Sequence, residues 1–217
     1  MQDTARARQN MVNCQILTNK LTDDRITEAL LAVPRENFVP KGLEGVAYID
    51  ENIPLGDGRY LMEPMIFARL VQAAEIAGQD VVLDVACGSG YSTAVLARLA
   101  GAVVALEADE GAVAAAEQRL AHLAIDNAAV VAGELSAGYP DQGPFDVIII
   151  NGAVASLPAA LPAQLADGGR LLVVERQGVT GCAVLYLKTG ETVSRRELFD
   201  AQLPMLPGFE AAEAFVF

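Results

Sequence analysis

Short apolar runs recur through the second half of the chain, each bounded by glycine, proline or a charged residue. Runs of this length without a polar interruption are typical of strands buried inside a parallel sheet. The pattern predicts strands at 81–85, 103–107, 128–132, 144–150 and 167–174. Three later segments, 182–187, 193–199 and 213–217, are also predicted as strands, and Gly190 indicates a hairpin between the first two.

Segments with helical spacing alternate with these strands. A helix is predicted over 4–20, where Met11, Cys14, Leu17 and Leu21 form one apolar row. Further helices are predicted from Thr22-Asp-Asp24 to Pro34, from Pro64 through Val71, after Gly90, from Asp109 to about Leu123, and over 157–165. Strands that alternate with helices favour an α/β fold. We therefore expect a doubly wound, mostly parallel sheet of about seven strands, with N-terminal helices and antiparallel strands at the C-terminal edge.

Regular spacing fades between Pro34 and Pro64, where glycine and proline are frequent. A long connection of this composition inside a compact domain is more often a binding loop than a passive linker. We therefore predict that this connection contacts a ligand.

A tight glycine turn joins the strand at 81–85 to the helix that follows. The turn reads Asp84-Val-Ala86-Cys-Gly88-Ser-Gly90. Glycine lets the backbone turn sharply and leaves bare N–H groups at the start of the helix, where a ligand's polar groups can bind. The next strand ends on Glu107, at about the spacing expected of a carboxylate that binds ribose hydroxyls. Together, the turn and the carboxylate predict a nucleoside cofactor.

The acidic residue in the turn discriminates between nucleoside cofactors. A dinucleotide site requires the pattern G-x-G-x-x-G, which this turn lacks, and Asp84 would repel a pyrophosphate by roughly a few kcal/mol. S-adenosylmethionine has no phosphate and carries an ammonium and a sulfonium, both of which a carboxylate attracts. We therefore predict S-adenosylmethionine rather than NAD. A plain strand-to-helix turn without a ligand is the alternative.

Composition and charge exclude several classes of partner and predict the cellular compartment. A chain of 217 residues suits one α/β domain. Its formal net charge of −13 disfavours nucleic acid and anionic membranes as partners. Cys14, Cys87 and Cys182 are widely spaced and lack metal-ligand spacing, so reduced, buried thiols and no metal are predicted. The single histidine, His122, argues against triad hydrolases and zinc enzymes. Because the first residues lack the apolar core of a signal peptide and no apolar run is long enough to cross a bilayer, we expect a cytoplasmic protein.

Several motifs resemble known methyltransferases. The glycine turn is similar to motif I of the Rossmann-like methyltransferases, E/D-x-G-x-G-x-G, with Ala86 in place of the first glycine. From about residue 8 to residue 175 the chain resembles the protein-L-isoaspartate O-methyltransferases. The resemblance is carried by Val33-Pro-Arg-Glu-Asn-Phe-Val-Pro40, which ordinary methyltransferases lack, and by Ala47-Tyr-Ile-Asp50, Pro54-Leu-Gly-Asp-Gly58, Gly88-Ser-Gly-Tyr91, Gly133-Glu134, Phe145-Asp-Val-Ile-Ile and Gly168-Gly169.

This resemblance implies a Rossmann-like fold and a cytoplasmic repair enzyme. The enzyme would methylate the carboxylate exposed when an asparagine or aspartate of a damaged protein isomerises. One methyltransferase domain over 1–217 is expected, with a helical and substrate-loop region at 1–78, a cofactor-binding core at 79–175 and C-terminal strands at 176–217. An ionised carboxylate is already nucleophilic and needs no base, so placement supplies most of the acceleration.

The family's cofactor-binding residues can be carried over position by position. The resemblance places Asp84, Gly88 and Gly90 at the methionine end of S-adenosylmethionine, Glu107 at the ribose hydroxyls, and Glu134 near the adenine, where the family has an aspartate. Ala86, in the same turn, is also expected to bind the cofactor. The acceptor is expected to be a protein or peptide carboxylate, or a small molecule, and the oligomeric state is left open.

The substrate loop departs from the family pattern. The family reads Gly-Gln-Thr-Ile-Ser-Gln-Pro, and this chain reads Gly58-Arg-Tyr-Leu-Met-Glu-Pro64. Met62 replaces the serine whose hydroxyl holds the acceptor carboxylate, and losing that bond costs about 1.5–3 kcal/mol because a thioether donates no hydrogen bond. No catalytic residue is assigned, but Arg59, Tyr60 and Glu63 are candidates for acceptor contact, with Arg59 offering a fork of donors and Glu63 a like charge. Two alternatives stay open: a methyltransferase of the same fold with another acceptor, and an S-adenosylmethionine-binding protein without turnover.

Overall fold

A seven-stranded sheet forms the centre of this computed structural model, which describes residues 3–210. Its strands are β3 (Val81–Val85), β4 (Ala102–Glu107), β5 (Ala128–Ala132), β6 (Phe145–Val154), β7 (Leu165–Gln177), β8 (Thr180–Thr189) and β9 (Thr192–Asp200); β1 (Ile53–Gly56) and β2 (Arg59–Leu61) form a separate hairpin. The order across the large sheet is β5-β4-β3-β6-β7-β8-β9. Strands β3 to β7 run parallel, and β8 pairs antiparallel with both β7 and β9. The predicted doubly wound, Rossmann-like sheet with antiparallel C-terminal edge strands is confirmed.

Helices pack against this sheet. They are α1 (Thr4–Met11), α2 (Asp24–Ala32), α3 (Pro64–Ala74), α4 (Tyr91–Leu96), α5 (Glu110–His122) and α6 (Ala160–Ala163), with a π-helical turn at Val12–Ile16 and 3-10 turns at Leu17–Asn19, Arg35–Phe38, Glu44–Val46 and Pro140–Gln142. The predicted caps are confirmed, because the carboxylates of Asp23 and Asp109 accept hydrogen bonds from the first turns of α2 and α5. The helix predicted over 157–165 is shorter than expected, and the strand predicted at 213–217 lies outside the described residues.

The N-terminal helix and two of the three thiols differ from their predictions. A π turn at Val12–Ile16 interrupts the helical spacing, which rotates the apolar face relative to a regular helix. Met11 and Leu21 of the predicted row are buried, but Cys14 and Leu17 are exposed. The predicted single row is therefore wrong. Buried thiols are confirmed only at the second cysteine of the chain, since the third is only half-buried.

The hairpin of β1 and β2 was not predicted from the sequence. Its turn residues Asp57 and Gly58 both have positive φ, 50° and 73°, as a tight hairpin turn requires. Asp-Gly is a favoured dipeptide for such turns, so a signal was present, but strands of four and three residues containing Pro54 concealed it. Among the described residues, β1 and β2 pair only with each other, and their hairpin extends toward the crevice of the large sheet.

The strand order reverses between β3 and β6, next to the glycine turn. In an open α/β sheet, ligands bind outside the carboxyl ends of the strands at such a reversal. Glu107 is the last residue of β4, and the glycine turn follows β3, so both lie at this edge. Within the described residues, none of the helices is long and apolar enough to cross a membrane.

Candidate nucleoside site

A cavity of about 520 Å³ lies between the glycine turn and the end of β4. Ligand pockets of roughly 300–1,000 Å³ accommodate small molecules, so the space suits a nucleoside. The lining residues come from the 34–64 connection with its hairpin, the glycine turn, the end of β4, α5, the segment after β5 and the C-terminal segment at Pro207. Those used below are Arg59, Gly88, Glu107 and Leu135. The cavity therefore brings together Gly88, Glu107 and the connection that the sequence predicts to contact a ligand.

The glycine turn is shaped by backbone conformations that favour glycine. Ala86, Gly88 and Gly90 have φ of 62°, 56° and 88°. A Cβ on Gly90 would lie 3.2 Å from Cβ of Ala116, so glycine there lets α5 pack against the turn. Ala86 adopts the same left-handed region with a side chain, at a cost of about 1–2 kcal/mol. This strain explains why motif I has glycine at that position.

Asp84 is fully buried, outside the lining of the cavity. Its carboxylate accepts hydrogen bonds from Ser92 Oγ at 2.8 Å, Thr93 Oγ1 at 2.7 Å and Asn151 Nδ2 at 2.6 Å. Burial raises the pKa of Asp84 to about 6, although the three hydrogen bonds oppose the shift. The carboxylate thus fastens the start of α4 and the strand β6 to the end of β3, beside the glycine turn.

Glu107 lines the cavity together with Asp57 and Asp109, and it is 2% exposed. Two backbone groups hold it, since Ala108 N donates to Oε1 at 2.7 Å and Gly88 N donates to Oε2 at 2.8 Å. Arg59 binds the same two oxygens as a fork, with Nη1 donating to Oε1 at 2.7 Å and Nη2 donating to Oε2 at 2.8 Å. Arg59 therefore lies on the nucleoside side of the crevice.

Two small cavities of about 10 Å³ each lie beyond the nucleoside cavity. One is bordered by Cys87 of the glycine turn, the other by Leu203 and the residues after it. Tyr60 and Met62 line both. Each cavity has space for about one water molecule. Tyr60 and Met62 therefore separate a space beside the glycine turn from a space that faces the C-terminal segment.

Arg35 anchors the substrate loop from the core. Its side chain is fully buried, with Nε donating to Ala47 O at 2.7 Å and Nη2 donating to Met62 O at 2.6 Å. Its guanidinium lies 4.8 Å from the ring centroid of Tyr91 in α4. The Val33–Pro40 run therefore has a structural consequence that sequence reasoning missed, because its arginine fixes the loop beside the crevice.

The two remaining candidates lie at the margins of the site. Glu134 is exposed, and its carboxylate accepts a hydrogen bond from Ser136 Oγ at 2.5 Å, while the neighbouring Leu135 lines the cavity. Glu63 is half-buried at the N-cap position of α3, and its side chain makes no capping hydrogen bond. Burial, together with the charges of Asp50 and Glu51, raises the pKa of Glu63 to about 7.

Comparisons with known proteins add to this geometry. The family model for protein-L-isoaspartate(D-aspartate) O-methyltransferase matches residues 6–198. A protein-L-isoaspartate O-methyltransferase of Methanoculleus marisnigri is 39% identical over 167 residues, which cover 77% of this chain and 76% of that protein. A protein of the same name from Koribacter versatilis is 35% identical over 201 residues, covering 93% and 90%.

A similar fold is found in a crystal structure of a putative protein-L-isoaspartate O-methyltransferase from Plasmodium falciparum, in complex with S-adenosyl-L-homocysteine. The TM-score is 0.79 at 20% identity, and the match covers 95% of this chain and 99% of that one. At this identity the likeness shows the fold alone.

Proposed function

The chain belongs to the protein-L-isoaspartate(D-aspartate) O-methyltransferase family, and we propose that it methylates the free carboxylate of isoaspartyl residues in proteins or peptides. The family match over residues 6–198 is the observation that carries this proposal. The cavity of about 520 Å³ between the glycine turn and an acidic strand end supports S-adenosylmethionine as the methyl donor.

The residues around the cavity fit this cofactor. Glu107, at the end of β4, is the proposed partner of the ribose hydroxyls, because this strand-end carboxylate lines the cavity and accepts a hydrogen bond from Gly88 N. Leu135 supplies an apolar surface for the adenine, and Glu134 stands beside it at the rim. Asp84 contributes by fixing α4 and β6 at the glycine turn and by its negative charge.

The chemistry requires placement rather than a base. When bound, the cofactor would supply an activated methyl group: an ionised carboxylate oxygen would bond to the methyl carbon as the methyl–sulfur bond breaks and a neutral thioether leaves. The chain's task is to align the two reactants. Tyr60 and Met62 border the spaces on both sides of the proposed transfer position. The thioether of Met62 offers no donor to the acceptor, so we assign that task to the hydroxyl of Tyr60, whose side chain is 39% exposed.

Labelling with S-adenosylmethionine tests the proposal directly. The protein is incubated with cofactor carrying a labelled methyl group and with two peptides that differ only in an isoaspartyl or a normal aspartyl residue. A base-labile methyl ester on the isoaspartyl peptide alone is the expected result. Absence of label from both peptides at high enzyme concentration would contradict the isoaspartyl acceptor and favour the different acceptor that Met62 suggests.

A matched pair of variants tests whether methyl transfer depends on the cavity. Glu107→Gln removes the charge at the proposed ribose site, whereas Glu110→Gln changes an exposed carboxylate three residues later on α5. We expect methyl transfer to fall by about 10-fold or more in the first variant, because a hydrogen bond to a charged group contributes about 1.5–3 kcal/mol. The second variant should retain wild-type transfer.

We further propose a reducing compartment such as the cytoplasm, and partners other than nucleic acid or anionic membranes. All three cysteines of the chain are free thiols, and the formal net charge is −13.

A further inference from the structure

The carboxylate of Glu107 has no capacity left for a ribose. A carboxylate oxygen accepts about two hydrogen bonds, and each oxygen of Glu107 already accepts one from a backbone N–H and one from Arg59. The backbone donors belong to the loops after β3 and β4, which are part of the sheet edge itself. The two bonds from Arg59 are therefore the ones that a ligand can replace.

The guanidinium of Arg59 resembles a ribose diol in what it offers to Glu107. It presents two neighbouring donors to the two oxygens, at 2.7 and 2.8 Å. Neighbouring 2′- and 3′-hydroxyls present two donors in the same way. A diol and this side chain thus compete for one pair of acceptor positions.

Arg59 also holds the hairpin over the rest of the crevice. It lies on β2, one residue before Tyr60, and the chain reaches Met62 directly after the strand. These two side chains border both small cavities, each of about 10 Å³, which is far less than an amino acid needs. Neither small cavity can therefore hold the methionine portion of the cofactor unless this segment moves.

The hairpin is fixed at one end and exposed at the other. Arg35 binds the carbonyl of Met62 at 2.6 Å, and Asn52 Oδ1 accepts from Glu63 N at 3.1 Å, so the end of the hairpin at α3 is anchored to the protein. The turn at 56–58 is exposed. Between these ends, the ion pair of Arg59 with Glu107 ties the hairpin to the large sheet.

We propose that Arg59 is a latch that competes with the cofactor's ribose for Glu107, so that cofactor binding releases the hairpin and opens the methionine side of the crevice. This inference rests on the proposed function, because it takes S-adenosylmethionine as the ligand. It assigns to Arg59 a positioning role on the cofactor side, instead of the acceptor contact expected from the sequence.

Calorimetric titration with S-adenosylhomocysteine measures this competition without requiring turnover. Arg59→Gln introduces the residue of the family loop and removes the forked ion pair. Because the ribose then displaces no charged donor, we expect affinity for S-adenosylhomocysteine to rise by about 10- to 100-fold. Arg59→Lys keeps the charge but not the fork, so its affinity should lie between wild type and R59Q.

Arg170→Gln is the matched control. Arg170 forms a comparable ion pair with Asp80 at 2.8 Å, with side chains that are 20% and 8% exposed, at the opposite edge of the sheet. This variant should lose stability and keep wild-type affinity for S-adenosylhomocysteine. Without ligand, R59Q should have a lower unfolding temperature than wild type. S-adenosylhomocysteine should raise the unfolding temperature of R59Q more than that of wild type or R170Q.

The outcomes separate this inference from the proposed function. If R59Q and R59K unfold cooperatively and bind S-adenosylhomocysteine no more tightly than wild type does, the latch is overturned and the proposed function is left intact. Failure of all four proteins to bind S-adenosylhomocysteine would overturn both. Binding by R59Q but not by wild type would support the latch.

Discussion

Changing Met62 to the serine of the family loop separates acceptor chemistry from packing. The side chain of Met62 is 5% exposed and belongs to the main apolar core. Truncating a buried methionine destabilises a protein by about 2–5 kcal/mol. A serine hydroxyl that donates to an acceptor carboxylate contributes about 1.5–3 kcal/mol to binding the reacting group. We therefore expect Met62→Ser to unfold more easily than wild type, yet to show a kcat/KM for an isoaspartyl peptide about 10- to 100-fold higher.

The assay compares initial rates of methyl transfer at saturating cofactor, well below the unfolding temperature of each variant. Met62→Ala makes nearly the same truncation without a hydroxyl, so it should share the loss of stability and show no gain in kcat/KM. Met65→Ser makes the same methionine-to-serine substitution at a partly buried position of α3, so it controls for a general effect of introducing serine. Equal kcat/KM values for M62S and M62A would refute the reasoning, because the hydroxyl would then not reach the acceptor.

Two further predictions concern stability. The pKa of Glu63 is raised to about 7 by burial and by Asp50 and Glu51, so the native state holds a proton that the unfolded state has lost. The stabilisation from this proton is complete below about pH 4.5 and is lost as the pH rises through about 7. Glu63→Gln should therefore lessen the fall in the urea midpoint of unfolding between acidic and alkaline pH. The same dependence of the urea midpoint on pH in wild type and variant would contradict this. Ala86→Gly relieves a left-handed φ of 62° but also raises the conformational entropy of the unfolded chain. We therefore expect the free energy of unfolding in urea to stay unchanged or to rise by up to about 1 kcal/mol. A clear loss of stability would contradict this prediction.

Local signals explain why the centre of the fold was predictable. The strand before Asp84 is a short apolar run, and glycine turns and capping carboxylates mark where α4 and α5 begin. Each of these features depends on residues within a few positions of one another, and all of them favour the same α/β arrangement. The position of Glu107 beside the turn follows from strand order alone, because parallel strands end at one edge.

The contacts that fasten the substrate loop were not predictable in this way. Arg59 and Glu107 are 48 residues apart, and their pairing depends on a hairpin that folds back across the crevice. Successive residues of a strand point to opposite sides, so recognising β2 would have placed Arg59 and Tyr60 on different faces. Without the hairpin, both residues were expected at the acceptor. Arg35 posed the same difficulty, since nothing in its own segment indicates that its guanidinium reaches the carbonyl of Met62.

The negative charge of Asp84 bears on the choice of cofactor without direct contact, which its position in the sequence did not indicate. Its carboxylate does not line the cavity, but a pKa of about 6 leaves it ionised at neutral pH, and the charge of Glu107 contributes to raising that pKa. Two negative groups therefore flank the glycine turn, with Arg59 as the cation paired to one of them. A pyrophosphate that displaced Arg59 would leave both carboxylates uncompensated and add its own negative charge. S-adenosylmethionine, with an ammonium and a sulfonium against one carboxylate, instead brings net positive charge as the guanidinium leaves, so the exchange proposed at Glu107 would favour a cationic ligand.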